Sequence, residues 1–504
     1  MKQIFAITLL LLAGASLYTW RTQPEQQTQR PIIRWKSDPN PQRYEQVELF
    51  NQWCMENGHV DEQNKPMIML QLDAANNQSS LIQAISGVGG DIIDAQAQLF
   101  APMGVCHDIT AFAAKGNFSL EDTYPGARSL LSWQGRQYAY PCNVAVAAFW
   151  FNLDTLARFG IDSIPAEWTP DEFETIGRRF VERANAGLAR QEFFFCAPLD
   201  NTYILNCMAR SQGVDLFNET MTAATCSEQP FIDAMARLYK WTFVDKLAPS
   251  AAEMASMNAE GGYGGGNFSQ LQYGNFAAIL TGRYALIRFR TFSRKINFAT
   301  AQVPMHDFKN LIISTRSAIL YKGSKNPELT KLFFAFLASK TYNDYIIKEA
   351  DGLPPNPKYA CANPDYLQPQ GYENEGRSHA NELKWAMNIA LPAPASPYCK
   401  ATDNNWLVYA LKKYFNDLGT AEDVLTEAEE RFNRAIQDSL QANPEMKKNW
   451  LEQVQIQQKI EELKKKGQQI PAHWISNPFH RKYYLETGKL LIKAEENPDR
   501  KSVV

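Results

Sequence analysis

The feature that most constrains this chain is an alternation of strand-like and helix-like segments near its start. Pro31 to Trp35 is a short apolar run suited to a buried strand, ending in the polar loop Lys36-Ser37-Asp38-Pro39-Asn40-Pro41. Tyr44, Val47 and Phe50 then fall at helical spacing, and Met67 to Leu72 reads as a second strand. Leu81 to Ile85 continues as helix to the break Gly87-Val88-Gly89-Gly90, and Asp91 to Asp94 is a third strand. Strand, helix, strand, helix, strand predicts an α/β fold with a parallel sheet flanked by helices. In such sheets ligands bind beyond the carboxyl ends of the strands.

Further on, Tyr138 to Asn152 is apolar and strand-like but longer than one sheet requires, so it is expected to cross between two lobes. Thr169-Pro170-Asp171-Glu172 predicts a helix start, with Thr169 as N-cap and Pro170 in the first position. Gly261 to Gly266 is a glycine-rich loop without the Gly-Lys-Ser/Thr ending of a phosphate loop. From Thr420 the chain turns helical and charged, with Thr420 and Asp423 at capping-box spacing. Met446 to Leu463 marks a further helix closed by Gly467.

A chain of 504 residues is long enough for two large lobes, each with its own core. With 51 Lys plus Arg against 54 Asp plus Glu there is no basic excess to neutralise a phosphate backbone, so nucleic acid is not an expected partner. Six His and no C-x-x-C spacing argue against a metal centre, and no cofactor is expected. Aromatics reach 12%, which suits stacking on a ligand as well as filling a core. Residues 1–20 have Lys2, an apolar stretch from Ile4 to Leu12, and Ala13-Gly14-Ala15, the order of a secretory signal cleaved before Ser16. Leu17, Tyr18 and Trp20 prolong the apolar run, so an uncleaved membrane anchor is the alternative. In an exported chain some of the eight Cys are candidates for disulfides, the rest being small buried apolar residues.

Five pieces of the sequence, in order, resemble the extracellular solute-binding proteins of family 1, the sugar-binding receptors of ABC importers. They are the first strand ending Trp35-Lys36-Ser37-Asp38, the strand Asp91-Ile92-Ile93, the crossing segment Tyr138 to Asn152, Gly274-Asn275-Phe276-Ala277-Ala278 followed by Thr281-Gly282-Arg283-Tyr284, and Gly323-Ser324-Lys325-Asn326-Pro327-Glu328 leading into a late helix. The resemblance implies two hinge-linked α/β lobes that close on a sugar. Lobe 1 is expected over 31–142 plus 302–355, and lobe 2 over 143–301 plus 356–500 with a C-terminal helical extension. The hinge crossings are expected near Pro141, Gln302 and Gly352. A carbohydrate and the permease subunits of an ABC transporter are the implied partners of a periplasmic, monomeric receptor.

The resemblance also supplies site candidates. Ser37 and Asp38 follow the first strand, where a carboxylate accepts from adjacent sugar hydroxyls, though an Asp before Pro39 also suits a turn. Asp94, Gln96 and Gln98 follow the third strand, and Asp94 is equally a helix cap. The family often has an aromatic where this chain has Ala95. Asn143 offers a donor and an acceptor inside the crossing segment. Asn201 and Tyr203 match a second-lobe loop, and Tyr284 matches the aromatic stacking platform after the Gly282 turn. Trp406 is a second platform or a core residue. Lys36 and Arg283 would favour anionic sugars unless they are simply solvated surface.

Two other functions fit parts of the pattern. A secreted carbohydrate-active hydrolase would need two facing carboxylates about 5 to 9.5 Å apart, a pair that Asp38 and Asp94 could form. A ligand-binding sensor subunit would share the receptor's fold.

Overall fold

The computed structural model describes residues 30–74, 77–187, 191–197, 201–257, 265–399 and 405–492. The expected signal or anchor at residues 1–20, and residues 261–264 of the glycine-rich loop, lie outside them.

The opening alternation folds as expected. β1 (Ile32–Ser37), α1 (Gln42–Glu56), β2 (Met69–Ala74), α2 (Asn77–Ile85) and β3 (Ile92–Asp94) follow in sequence. β1 lies between β2 and β3 and is parallel to both, with Trp35 opposite Leu72 on one side and Ile92 on the other. The apolar stretch around residues 138–152 is two strands, β4 (Ala139–Val146) and β5 (Ala148–Asn152), separated at Ala147. β4 belongs to the first sheet and β5 to the second, so the chain passes between sheets at Ala147, after the expected boundary at Asn143. The reason is an antiparallel ladder that holds β4 through Val146.

Beyond α3 (Pro170–Ala184), β6 (Phe193–Cys196) and α4 (Thr202–Arg210), the second sheet is completed by β7 (Phe276–Thr281) and β8 (Phe298–Ala301), in the order β8-β5-β7-β6. The chain then returns through β9 (Leu311–Leu320), which pairs with β3, β4 and β10 (Ala390–Pro392) of the first sheet. Between β9 and β10 lie α5 (Pro327–Ala338), α6 (Lys340–Glu349) and α7 (Ser378–Asn388). The pairing Leu311↔Ala390 puts β10 in the first sheet, although residues 356–500 were assigned to the second lobe.

Two aromatic clusters mark the sheets, the second running on to Val144, Val146, Leu311 and Ile313 of the first sheet. Trp35, Phe50, Phe333, Phe336 and Tyr342 pack on the first, and Phe149, Phe173, Phe194, Phe195 and Trp241 on the second. The helix signals hold at α3, where the Thr169 hydroxyl accepts from Glu172 N at 3.3 Å and the Glu172 carboxylate accepts from Thr169 N at 2.8 Å. Such a cap is worth about 1 kcal/mol. The same reciprocal pair, Thr420 and Asp423, opens α9 (Ala421–Ala442), which follows α8 (Asn405–Phe415).

The C-terminal extension continues as α10 (Pro444–Lys465) and α11 (Pro478–Glu486), and it packs on the second lobe. Glu219, 2% exposed, holds it there. Its carboxylate accepts from Gln457 Nε2 at 2.6 Å, Lys464 Nζ at 3.0 Å and Tyr484 OH at 2.5 Å. Among the described residues no helix is long and apolar enough to cross a membrane, and no group of His, Cys, Asp and Glu is placed to hold a metal ion. No disulfide joins the described cysteines; Cys361 is exposed and the other seven are buried.

Candidate ligand pocket

The parallel order of β1, β2 and β3 brings their carboxyl ends to one edge, and a cavity of about 580 Å³ opens there. Ser37 at the end of β1 with Asp38 and Pro39 after it, Ala74 at the end of β2, and Asp94 at the end of β3 with Ala95 and Gln96 after it form three of its walls. The fourth is Thr315-Arg316-Ser317 of β9. The ladder between β9 and β4 shifts register between Arg316 and Ser317, an irregularity of the kind that re-aims a side chain.

Asp94 is the keystone of the floor. It is 7% exposed, and its carboxylate accepts from Trp35 Nε1 at 2.8 Å, from Arg316 Nη1 at 2.9 Å and from the Ser37 hydroxyl. Both oxygens are thus engaged within the protein. Asp38 differs, with a side chain 46% exposed and Arg43 Nε donating to one oxygen at 2.6 Å. Burial raises the Asp38 carboxyl, but the charges of Arg43 and Arg316 outweigh it and hold the group below the usual carboxylate range. It therefore stays an anion at the cavity wall, with a half-exposed side chain able to accept further hydrogen bonds. Below the floor, Arg43 Nη1 donates to Asp351 at 2.5 Å and Gln46 Nε2 donates to the same oxygen at 3.1 Å. Arg316 Nε is buried and has no acceptor among the described residues.

Of the eleven expected site residues, the structure brings Ser37, Asp38, Asp94 and Gln96 to this cavity. The other seven do not line it. Gln98 turns away and donates to Ser129 O at 2.8 Å. Asn143 donates to Asp351 O at 2.7 Å, which fixes backbone. Asn201 precedes α4, where its carbonyl accepts from Leu205 N at 3.0 Å. The Tyr203 hydroxyl donates to Ala147 O at 2.7 Å, tying α4 to the crossing point. Trp406 is half-buried and packs edge-on against Phe432, ring centroids 4.9 Å apart, at the margin of the second core. Tyr284 sits half-buried just past β7.

Arg283 corrects the expectation most sharply. It is neither ligand-facing nor solvated: it is fully buried, and its guanidinium donates to Gly352 O at 2.7 Å, Ile347 O at 2.7 Å and Ile346 O at 3.2 Å. Lys36 is also 5% exposed and is taken up by Asp73. Asp94 does not cap a helix, because Trp35, Ser37 and Arg316 claim its oxygens.

The sequence reading missed Thr315, Arg316 and Ser317. Their signal was present: the four polar residues Ser314-Thr315-Arg316-Ser317 interrupt the apolar run between Leu311-Ile312-Ile313 and Ala318-Ile319-Leu320 of one long strand. Asp351 gave no local sign, since its carboxylate is held by Arg43 and Gln46 across more than three hundred residues, and Arg43 showed at most its nearby partner Asp38.

The family model for bacterial extracellular solute-binding proteins matches residues 72–344. Among solved structures, an ABC substrate-binding protein from Listeria monocytogenes in complex with cycloalternan is similar at 18% identity and a TM-score of 0.66, covering 81% of this chain and 99% of that one. The sugar-binding protein MalE from Xanthomonas citri is similar at 14% identity and a TM-score of 0.64, covering 81% and 98%. A cyclic alpha-maltosyl-1,6-maltose binding protein from Arthrobacter globiformis is similar at 14% identity and a TM-score of 0.62, covering 81% and 100%. No curated protein matches the sequence. These likenesses establish a two-lobed solute-binding fold.

Proposed function

Because the chain belongs to the bacterial extracellular solute-binding proteins, whose members are exported and bind solutes rather than transform them, we propose that it captures a carbohydrate between its lobes and delivers it to the permease of an ABC importer. The observation that carries this reading is the polar pocket at the carboxyl ends of β1 to β3, where Asp38 presents a half-exposed carboxylate beside Gln96, Thr315 and Ser317. A carboxylate held ionised accepts two hydroxyls in charge-assisted bonds, the recognition a polyol requires. The cycloalternan complex and the maltose-type binders among the similar structures support the same ligand class.

The lobes close about Ala147, the return into β9 and the segment near Gly352, and the receptor works as a monomer. Residues 1–20 direct export, with cleavage before Ser16 or retention as an anchor; terminal mass spectrometry of cell-derived protein separates the two. A thermal-shift screen against mono- and oligosaccharides tests the function. A sugar at a hundred times its Kd stabilises the native state by about 2.7 kcal/mol. Failure of every carbohydrate to raise the midpoint, with another solute class succeeding, would replace the ligand assignment.

A further inference from the structure

Asp351 and Gly352 are neighbours in the chain and are gripped from opposite lobes. Asp351 is 2% exposed, and its carboxylate is held by Arg43 Nη1 at 2.5 Å and Gln46 Nε2 at 3.1 Å, with Arg316 Nη2 3.7 Å away. Arg43 also holds Asp38 and Arg316 also holds Asp94, so Asp351 is suspended from the two guanidiniums that build the pocket. The next carbonyl, Gly352 O, accepts from Arg283 Nη1, and Arg283 stands on the turn that ends β7 of the second sheet.

Between the two grips, the segment is laced to β4 by Asn143 Nδ2 on Asp351 O and by Val144 and Leu353, which exchange hydrogen bonds of 3.0 and 2.7 Å. Gly352 has φ +84°, and a Cβ there would lie 2.8 Å from Val144 O, so the close approach requires glycine. Arg283 has no carboxylate within ion-pair distance among the described residues. Its Nε donates to His379 Nδ1 at 3.0 Å and its plane lies 4.9 Å from the Tyr366 ring centroid. A buried guanidinium devoted to three main-chain carbonyls fixes where backbone lies rather than balancing a charge.

We propose that Asp351 and Arg283 are positioning residues that couple occupancy of the pocket to the orientation of the second lobe. A ligand that draws on Asp38 or Arg316 alters the pull on Asp351, and the Asp351–Gly352 peptide passes that displacement to Arg283. The proposal rests on reading the pocket as the ligand site.

The test is a double-mutant cycle on the full-length protein without ligand, read by hydrogen exchange at the Val144 and Leu353 amides. Asp94→Asn should speed exchange at Leu353 by about 2- to 30-fold, the range of coupling along such networks. In an Asp351→Asn background the same substitution should add nothing. Arg283→Lys, which keeps the charge but loses the fork, should speed Leu353 while the Ile33 and Phe151 amides stay protected, showing both sheets intact. Ser37→Ala is the milder pocket substitution, removing a neutral hydroxyl that donates to Asp94 and Asp38 and accepts from Arg316 Nη1 at 3.5 Å, and repeats the pocket arm should Asp94→Asn loosen the whole lobe. Additive effects of the pocket and Asp351 substitutions, or an unresponsive Leu353 in Arg283→Lys, would overturn the coupling. No sugar enters the cycle, so its failure is distinct from a failed carbohydrate screen.

Discussion

At the edge of the first lobe's sheet, the cavity walls are carboxylate, guanidinium, hydroxyl, amide and small apolar groups, with no aromatic ring lining it among the described residues. The second lobe's sheet is the reverse, a dense aromatic core in which Phe173 lies 5.5 Å from Phe149, 5.0 Å from Trp168 and 4.9 Å from Trp241, centroid to centroid. The contrast separates two uses of rings that composition alone merges. Here the rings fill the second core, where they bury large apolar areas and pair stacked, tilted or edge to face, while we assign ligand recognition to hydrogen-bonding groups on the first lobe. Any stacking surface in the closed state must come from the facing lobe, and half-buried Tyr284 is our candidate for it.

The strongest way to break this comparison is to remove one element from each side. Phe173→Ala should cost about 3 to 5 kcal/mol of stability, while calorimetric titration shows unchanged affinity in the molecules that remain folded. Arg316→Ala should cost a similar 3 to 5 kcal/mol, because Asp94 is left buried without its cation, and should abolish ligand binding as well. If Phe173→Ala weakened binding as much as Arg316→Ala, the division of labour would be wrong.

Acid sharpens the comparison at the second lobe's outer face. Burial raises the Glu219 carboxyl, but His480, Lys464 and the Tyr484 and Gln457 hydrogen bonds outweigh it and lower it to about 2. A carboxyl depressed in the fold contributes stability that is complete above its unfolded value and is lost as pH falls through the folded one. Docking of the extension should therefore be intact above about pH 4.5 and lose on the order of 3 kcal/mol by pH 2. Glu219→Gln should flatten that part of the profile in a pH series of urea melts.

Asp38→Asn should act mainly on the ligand, weakening sugar affinity by about 1 to 2 kcal/mol, and should lower the melting midpoint only a little, since the side chain is 46% exposed and the buried Arg43 keeps Asp351 as its partner. Release of free sugar from an oligosaccharide by the unsubstituted protein, lost in Asp38→Asn, would favour the hydrolase instead. Tyr284→Ala should have the smallest effect, about 1 kcal/mol of affinity from the apolar face of one ring. An unchanged Kd would remove Tyr284 from the closed cleft.

Much of this molecule is local and was readable in the sequence. The parallel order of β1 to β3 follows from apolar runs separated by helical spacing, and the caps at Thr169 and Thr420 follow from hydroxyl and carboxylate three residues apart, because these signals act within a few residues of themselves. Ser37, Asp38, Asp94 and Gln96 came from the family resemblance, and their meeting at one sheet edge agrees with the rule that ligands bind beyond the carboxyl ends of parallel strands. Tertiary structure alone decided what surrounds each polar side chain. From the sequence and its resemblance, Arg283 is expected to face an anionic sugar or solvent, Tyr203 to stand in a second-lobe ligand loop, and Trp406 to be a stacking platform or a core residue. Each instead faces partners far away in the chain: Arg283 the carbonyls of 346, 347 and 352, Tyr203 the crossing at Ala147, and Trp406 the ring of Phe432. A side chain's charge and shape are fixed by its own atoms, but its burial and its hydrogen-bond partners depend on which distant segment the fold lays against it.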